Sequence, residues 1–215
     1  MAKDLFDDLR VEYDDEPLRL ADLPAEPMAL FHAWMGAAVR AEVREPNGMT
    51  VATCDEHGQP HCRVVLLKQV DMRGFVFFSN KLSDKGAQLR ANARAAATFW
   101  WSAPRSRQVR VVGEVEDLPA SESDAYFESR PRRAQLCSAA SPHSRVVGSR
   151  PALHRLVAEL AARVGDGPVP RPDHWGGYVL RPAAIEFWQG RHGRLHDRFR
   201  YTALAGGWRI ERLAP

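Results

Sequence analysis

What most constrains this chain is a succession of short β-type runs, Met49–Cys54, Cys62–Val70, Phe75–Ser79, Ala95–Trp101 and Val109–Glu116, with little between most of them but turn residues. Asp55-Glu56-His57-Gly58 joins the first two and has the chemistry of a hairpin turn. Further short strands are predicted near Tyr178, near Ile185, over Arg194–Tyr201 and over Trp208–Leu213. Many short strands with few helices point to a barrel-type sheet. The expectation is a small closed or split β-barrel with helices packed outside.

The helices are fewer. Leu30, Phe31, Trp34, Met35 and Ala38 recur at helical spacing, so Pro27–Val43 is predicted to be amphipathic. Ser83–Asn92, Ser121–Arg130 (stopped by Pro131) and Arg150–Val164 complete the set. Residues 1–26 are charged and proline-punctuated, and read as a flexible arm with a short helix around Asp4–Tyr13. Residues 27–215 read as a single domain.

Composition narrows the partners. Against 27 acidic side chains stand 30 basic ones, a formal charge of +3. Nucleic-acid binders carry a stronger or more localised excess, so no nucleic acid is expected. Basic clusters at Arg105–Arg110 and Arg130–Arg133 suit small phosphorylated ligands, which need only a few cations each. No apolar run reaches membrane-spanning length, and the acidic N-terminus lacks the order of a signal peptide. Cys54, Cys62 and Cys137 show no metal-type pairing and read as reduced thiols, Cys137 as a buried one. No metal, no membrane and a cytoplasmic location are expected.

The densest chemistry lies in Ile185-Glu186-Phe187-Trp188-Gln189-Gly190-Arg191-His192-Gly193-Arg194-Leu195-His196-Asp197-Arg198. If Arg194–Phe199 is extended, Arg194, His196 and Arg198 share one face. Two fixed cations around an imidazole suit an anionic or electron-rich ligand. A solvated edge strand is the plainer alternative. Upstream, Arg63-Val64-Val65-Leu66-Leu67-Lys68 reads as a buried core strand with a cation at each end. Positions five apart fall on opposite faces of a regular strand, so Arg63 and Lys68 serve one site only across a bulge or past the strand's end. Ser83 is a candidate helix cap behind Phe78 and Ser79, and a helix N-terminus with Lys85 beside it is a natural phosphate site. Tyr126 and Arg130 stand four apart on a predicted helix and suit a phosphate monoester, or form an ordinary surface pair.

These segments together resemble the pyridoxine 5′-phosphate oxidases, the FMN enzymes that make pyridoxal 5′-phosphate. The likeness rests on Ile185-Glu186-Phe187-Trp188, on Arg194-Leu195-His196-Asp197-Arg198 and on Trp175-Gly176-Gly177-Tyr178, and it runs from about Leu9 to Pro215. It implies a mainly β (α+β) FMN-binding split β-barrel of Greek-key type with peripheral helices, assembled as a homodimer with FMN at the interface. It implies oxidation of pyridoxine 5′-phosphate or pyridoxamine 5′-phosphate to pyridoxal 5′-phosphate, with O2 reduced to H2O2. Cofactor contacts would come from Arg63, from Val64, Val65, Leu66 and Leu67, and from Lys68. Phe78, Ser79 and Lys85 would add others, as would Gln108, His143, Ser144, Trp188 and Arg198. Lys68, Tyr126 and Arg130 would hold the substrate phosphate. Arg194 and His196 would cover its ring as the catalytic pair, and Leu9–Tyr13 would approach the ligand from the arm.

Several positions depart from the family pattern. Asp84 stands where a basic residue is usual, Ala134 where a serine is common, and His143 where an amide is usual. Cys137-Ser138-Ala139 replaces Gly-Ala-Trp, which predicts a loosened loop over Leu136–Ser144. Two alternatives to the oxidase remain at this point. One is a related split-barrel flavin oxidase on another substrate, of the phenazine-precursor type. The other is a flavin or pyridoxal-phosphate binding protein without turnover.

Overall fold

The computed structural model describes residues 12, 13 and 15–215. Leu9–Val11 and most of the short helix expected over Asp4–Tyr13 lie outside them, and Glu12 and Tyr13 are not helical. Helix α1 (Pro27–Arg40) is followed by β1 (Gly48–Cys54), β2 (Pro60–Leu66), β3 (Gln69–Asp71) and β4 (Gly74–Asn80). Then come α2 (Asp84–Ala91), β5 (Arg94–Trp101), β6 (Arg107–Asp117), α3 (Ala120–Ser129), α4 (Arg132–Ala140) and α5 (Arg150–Val164). The chain closes with β7 (Trp175–Gln189), β8 (Asp197–Leu204) and β9 (Gly207–Arg212). Hydrogen bonding orders the strands β2-β1-β5-β6-β7-β4-β3, with β8 on β7 and β9 on β8. The fold class is mainly β, a split β-barrel with peripheral helices.

Local chemistry accounts for most boundaries. Asp55 Oδ1 accepts the N–H groups of His57 (3.0 Å) and Gln59 (2.9 Å), which forms the predicted hairpin between β1 and β2. Ser83 Oγ accepts from Gly86 N and caps α2. At Gly86 a Cβ would lie 2.2 Å from the Lys81 carbonyl oxygen, so only glycine lets the first turn of α2 pack there.

Four expectations need correction. The run expected over Cys62–Val70 breaks after Leu66, where Lys68 N donates to Val76 O at 2.8 Å. Nor is that strand buried: residues of β2 alternate between exposed and half-buried, and Val64 is 68% exposed. Its apolar side chains line a cavity instead of a core, a distinction that hydrophobicity alone does not encode. Strands expected separately near Tyr178 and Ile185 are one strand, β7, of 15 residues. The stretch taken as a loop from Leu136 is helical to Ala140, with Ala139 packed against the Phe127, Leu136, Val169 and Trp175 cluster.

The contacts separate two compact units. One unit comprises the described residues up to Met49 with 97–111 and 182–215. Its core is aromatic: Phe31 on Phe99 (5.0 Å), Trp34 on Phe187 (5.2 Å) and Phe187 on Tyr201 (5.5 Å). Truncating such a ring to alanine costs about 3–5 kcal/mol. The second unit comprises 50–96 and 112–181. There β4 is buried along nearly its whole length and pairs antiparallel with β7, with Phe77 opposite Tyr178 and Phe78 opposite Gly177.

Candidate functional site

The second unit contains a cavity of about 610 Å³ built from β2, β4, α3, α4 and the start of α2. Arg63 and Lys68 both line it, because Lys68 lies past the end of β2. This is one of the two geometries that their spacing demanded. Tyr126 and Arg130 meet there as well. Arg130 is the C-cap of α3 with extended backbone, not a helical residue, and Pro131 fixes the chain beyond it. The Tyr126 ring stacks on Phe78 (4.0 Å), and the Arg130 guanidinium lies over Trp175 (4.9 Å). Nη1 of Arg130 is buried without a hydrogen-bond partner among the described residues. A buried donor left unpaired carries the full desolvation penalty, which an incoming anion would relieve.

The other end of the cavity gathers Arg63, Ser79, Lys85 and His143. Lys85 Nζ donates to Ser79 Oγ (2.9 Å) and Ser83 Oγ (3.2 Å). Burial lowers its pKa, and the neighbouring Arg63 lowers it further. Arg63 is held in place by Thr53 Oγ1 (2.6 Å) and Gln88 Oε1 (2.9 Å). These partners are neutral, so they orient the guanidinium without cancelling its charge. Asp84 is exposed and is absent from the lining, although its field opposes the lowering at Lys85. His143 is pushed below its ordinary pKa by burial and then by Lys85. Ser144, at φ 64°, is exposed, with its Oγ 3.4 Å from His143 Nδ1. Leu67 is buried, whereas Val64, Val65 and Leu66 line the cavity. Cys137, expected to be buried, is exposed at the cavity's edge on α4.

The C-terminal motif lies in the other unit and departs from the alternation expected of it. Strand β8 begins only at Asp197, while Arg194 closes a 3-10 turn (His192–Arg194) at φ 63°. Arg194 and His196 therefore meet through that turn, not along a strand face. The His196 ring lies tilted against Trp188 (4.6 Å) and edge-on to Tyr13 (5.6 Å), and Arg194 lies over Tyr13 (6.0 Å). Arg191 N donates to His196 Nδ1 at 3.2 Å, so the neutral ring carries its proton on Nε2. Burial and then Arg194 hold the His196 pKa below the ordinary value. Trp188 stands opposite Arg198 in the β7–β8 register, and Gln108 is half-buried on β6.

Residue types alone did not reveal the supports. Glu186 accepts from Arg198 Nε (2.9 Å) and Arg110 Nη1 (3.1 Å). Asp197 accepts from Leu18 N (3.0 Å) and Arg212 Nη1 (2.6 Å). Both acids belong to the quoted motif; Arg198 does too, but Arg110, Arg212 and Leu18 lie outside it, where period-two reasoning cannot reach.

With this geometry in hand, residues 35–163 match the family described as pyridoxamine 5′-phosphate oxidase. The chain belongs to that family. Residues 175–215 match the pyridoxine 5′-phosphate oxidase C-terminal dimerisation region, so the oxidase-family chain carries the segment through which its family dimerises. It is 52% identical over 210 residues to a pyridoxine/pyridoxamine 5′-phosphate oxidase of Pseudomonas paraeruginosa, covering 97% of each chain. A Synechocystis protein of the same name is 50% identical over 208 residues, again with 97% of each chain covered. Among solved structures, PhzG from Burkholderia lata in complex with tetrahydrophenazine-1-carboxylic acid superposes with a TM-score of 0.87 at 32% identity. That match covers 95% of this chain and 100% of PhzG. An FMN binding protein from Nostoc punctiforme, related to pyridoxamine 5′-phosphate oxidase, shares the fold at TM-score 0.71 and 14% identity, over 90% of this chain and 100% of its own.

Proposed function

We propose that this chain oxidises pyridoxine 5′-phosphate or pyridoxamine 5′-phosphate to pyridoxal 5′-phosphate, using FMN and reducing O2 to H2O2. The alcohol gives up two electrons and two protons; the amine also consumes a water and releases ammonia. The observation that carries the reading is the unpaired, buried Nη1 of Arg130, with Lys68 and Tyr126 lining the same cavity. A phosphate monoester satisfies that group and offers acceptors to the other two. FMN fits the chemistry of the opposite end, where burial and the neighbouring Arg63 disfavour the charge on Lys85 and a phosphate dianion would stabilise both cations. When bound, FMN supplies a two-electron acceptor that dioxygen can reoxidise.

In this reading Arg63, Lys85, Ser79 and the backbone of Val64–Leu67 bind the cofactor, with Phe78, Gln108, His143, Ser144, Trp188 and Arg198 completing its contacts. Lys68, Tyr126 and Arg130 fix the substrate phosphate, and anchoring a remote group to place a reacting carbon is itself a large part of catalysis. Arg194 and His196 cover the substrate ring, with His196 neutral and positional. The protein works as a homodimer with FMN at the subunit interface, a reading supported by the match to the dimerisation region. We place it in the cytoplasm; no helix among the described residues is long and apolar enough to cross a membrane.

The test is anaerobic. FMN-loaded protein is mixed with pyridoxine 5′-phosphate while the oxidised flavin band is followed. Bleaching, then recovery with peroxide when air is admitted, is the expected outcome. A band that stays oxidised with both vitamers overturns the proposal. Bleaching only with a phosphate-free tricyclic acid would assign the site to a substrate of the PhzG type.

A further inference from the structure

The carboxylate of Glu186 is in an unusual position for an acid on a strand. The residue is 9% exposed, and each of its oxygens is taken by a different guanidinium. Oε1 accepts from Arg198 Nε at 2.9 Å and Oε2 from Arg110 Nη1 at 3.1 Å. In the β7–β8 register Glu186 lies opposite Arg200 and Trp188 opposite Arg198. Period two then puts Glu186, Trp188, Arg198 and Arg200 on one face of the sheet. Arg198 is held a second time, because its Nη1 donates to Ala214 O at 2.8 Å. With Nε and Nη1 committed, the Nη2 edge is the part of the guanidinium left for a ligand, and its direction is fixed from two sides. Arg110 in turn prevents the carboxylate from rotating. Without Glu186, Arg198 and Arg110 would lose the acid they share, whereas Arg200 keeps Glu211, to whose Oε2 its Nη2 donates at 3.0 Å.

We propose that Glu186 is a positioning residue that aims Arg198 at the flavin. This rests on Arg198 being a cofactor contact, as in the function proposed above. Arginine keeps its charge at any accessible pH, so what the protein can control is its direction. An arginine aimed at the ring stabilises the negative charge that builds on flavin reduction. The same arginine freed to rotate into solvent does so less. Glu186 acts through Arg198, so the two substitutions should not add.

The experiment is a double-mutant cycle on the full-length protein: E186A, R198A and the pair. Two quantities are read, the FMN dissociation constant from quenching of flavin fluorescence, and the midpoint potential of the bound flavin. R198A is expected to weaken FMN about tenfold, a typical loss for a charge-assisted hydrogen bond, and to lower the potential. E186A is expected to shift both in the same direction by a smaller factor, and the double variant to match R198A within about twofold. E186Q, which keeps the volume and one acceptor oxygen for Arg198, is expected between wild type and E186A; it tests the idea even if E186A folds poorly. A higher potential in E186A would mean that the carboxylate acts directly on the flavin, and the proposal fails. So it does if the losses multiply in the double variant, which is the signature of a merely structural role. If R198A itself leaves FMN affinity and potential unchanged, the cofactor role of Arg198 is what falls.

Discussion

In the C-terminal region around β7 and β8, Arg198 and Arg110 share Glu186, and Arg212 is bound to Asp197. Around the cavity of the other unit, among the described residues, Arg63 is held by neutral oxygens, Lys85 by hydroxyls, and Arg130 has a buried nitrogen with no partner. Both regions are rich in fixed cations, yet their chemistry differs. A cation neutralised by a built-in acid tolerates the absence of ligand, whether it only braces the fold, as Arg212 does, or also points at a cofactor, as proposed for Arg198. A desolvated cation with no anion raises the free energy of the apo protein, and that deficit reappears as affinity when an anion arrives. This contrast supports the proposal that the cavity takes the anions and that the C-terminal region aims side chains, although Arg200 Nε there is also buried without a partner among the described residues.

Two substitutions would break this contrast if it is wrong. Asp197→Ala removes the acceptor for Arg212 and for Leu18 N, and should destabilise the apo protein by about 2–3 kcal/mol in urea unfolding. Arg130→Met in the cavity should leave apo stability unchanged or slightly raised. That variant should instead raise KM for pyridoxine 5′-phosphate roughly 30-fold, as expected for losing a charge-assisted phosphate contact worth about 2 kcal/mol. FMN affinity should stay within about twofold. If Arg130→Met unfolds the protein as readily as Asp197→Ala, the distinction between scaffold cations and ligand cations fails.

How much of this could be read from the sequence depended on the range of the interaction. Hairpin chemistry at Asp55–Gly58, the Ser83 cap and the helix over Arg150–Val164 are local, and all three stand where they were expected. The gathering of Arg63, Lys68, Tyr126 and Arg130 was legible only through resemblance, because two stretches far apart in the chain, β2 with its end and α3 with its cap, bring them together. Three features were misread for identifiable reasons. The apolar run of β2 looks like core but faces a cavity. Arg194 takes a left-handed conformation, which replaces alternation with a turn. The segment from Arg132 to Ala140 lacks strong periodicity but is helical, with Leu136 and Ala139 packed in the aromatic cluster. The supporting acids Glu186 and Asp197 were visible as letters, but their partners could be found only in three dimensions.

Smaller effects sharpen the contrast inside the cavity. Asp84 is exposed at the start of α2, where its charge opposes an anion at the helix terminus. Asp84→Arg should therefore tighten FMN about fivefold by fluorescence titration, an effect near 1 kcal/mol. Unchanged affinity would mean that the Asp84 charge is screened from the phosphate by solvent. Ala134→Ser restores one neutral hydroxyl near the Arg130 end and should lower KM for the phosphorylated vitamer by up to about fivefold, the worth of a single hydrogen bond. An effect on FMN affinity instead of KM would place Ala134 at the wrong end of the cavity.

The smallest expected effect concerns His143, where the sign distinguishes the apo from the loaded protein. Burial and Lys85 lower the His143 pKa, while Asp84 opposes them, so the folded apo protein holds a neutral ring at neutral pH. Between an unfolded value of about 6.5 and that lowered value, the unfolded chain binds more protons. Apo stability should therefore fall as pH drops through this window, and His143→Gln should remove that part of the slope. FMN reverses the preference, since a phosphate dianion beside Arg63, Lys85 and His143 favours the charged ring. The affinity of the natural protein relative to His143→Gln should then rise about two- to threefold as pH falls below about 6.5. Protonation of the FMN phosphate acts on both proteins and cancels in the ratio. A ratio that stays flat with pH, beside an apo slope that does change, would put His143 in the cavity wall but out of reach of the phosphate.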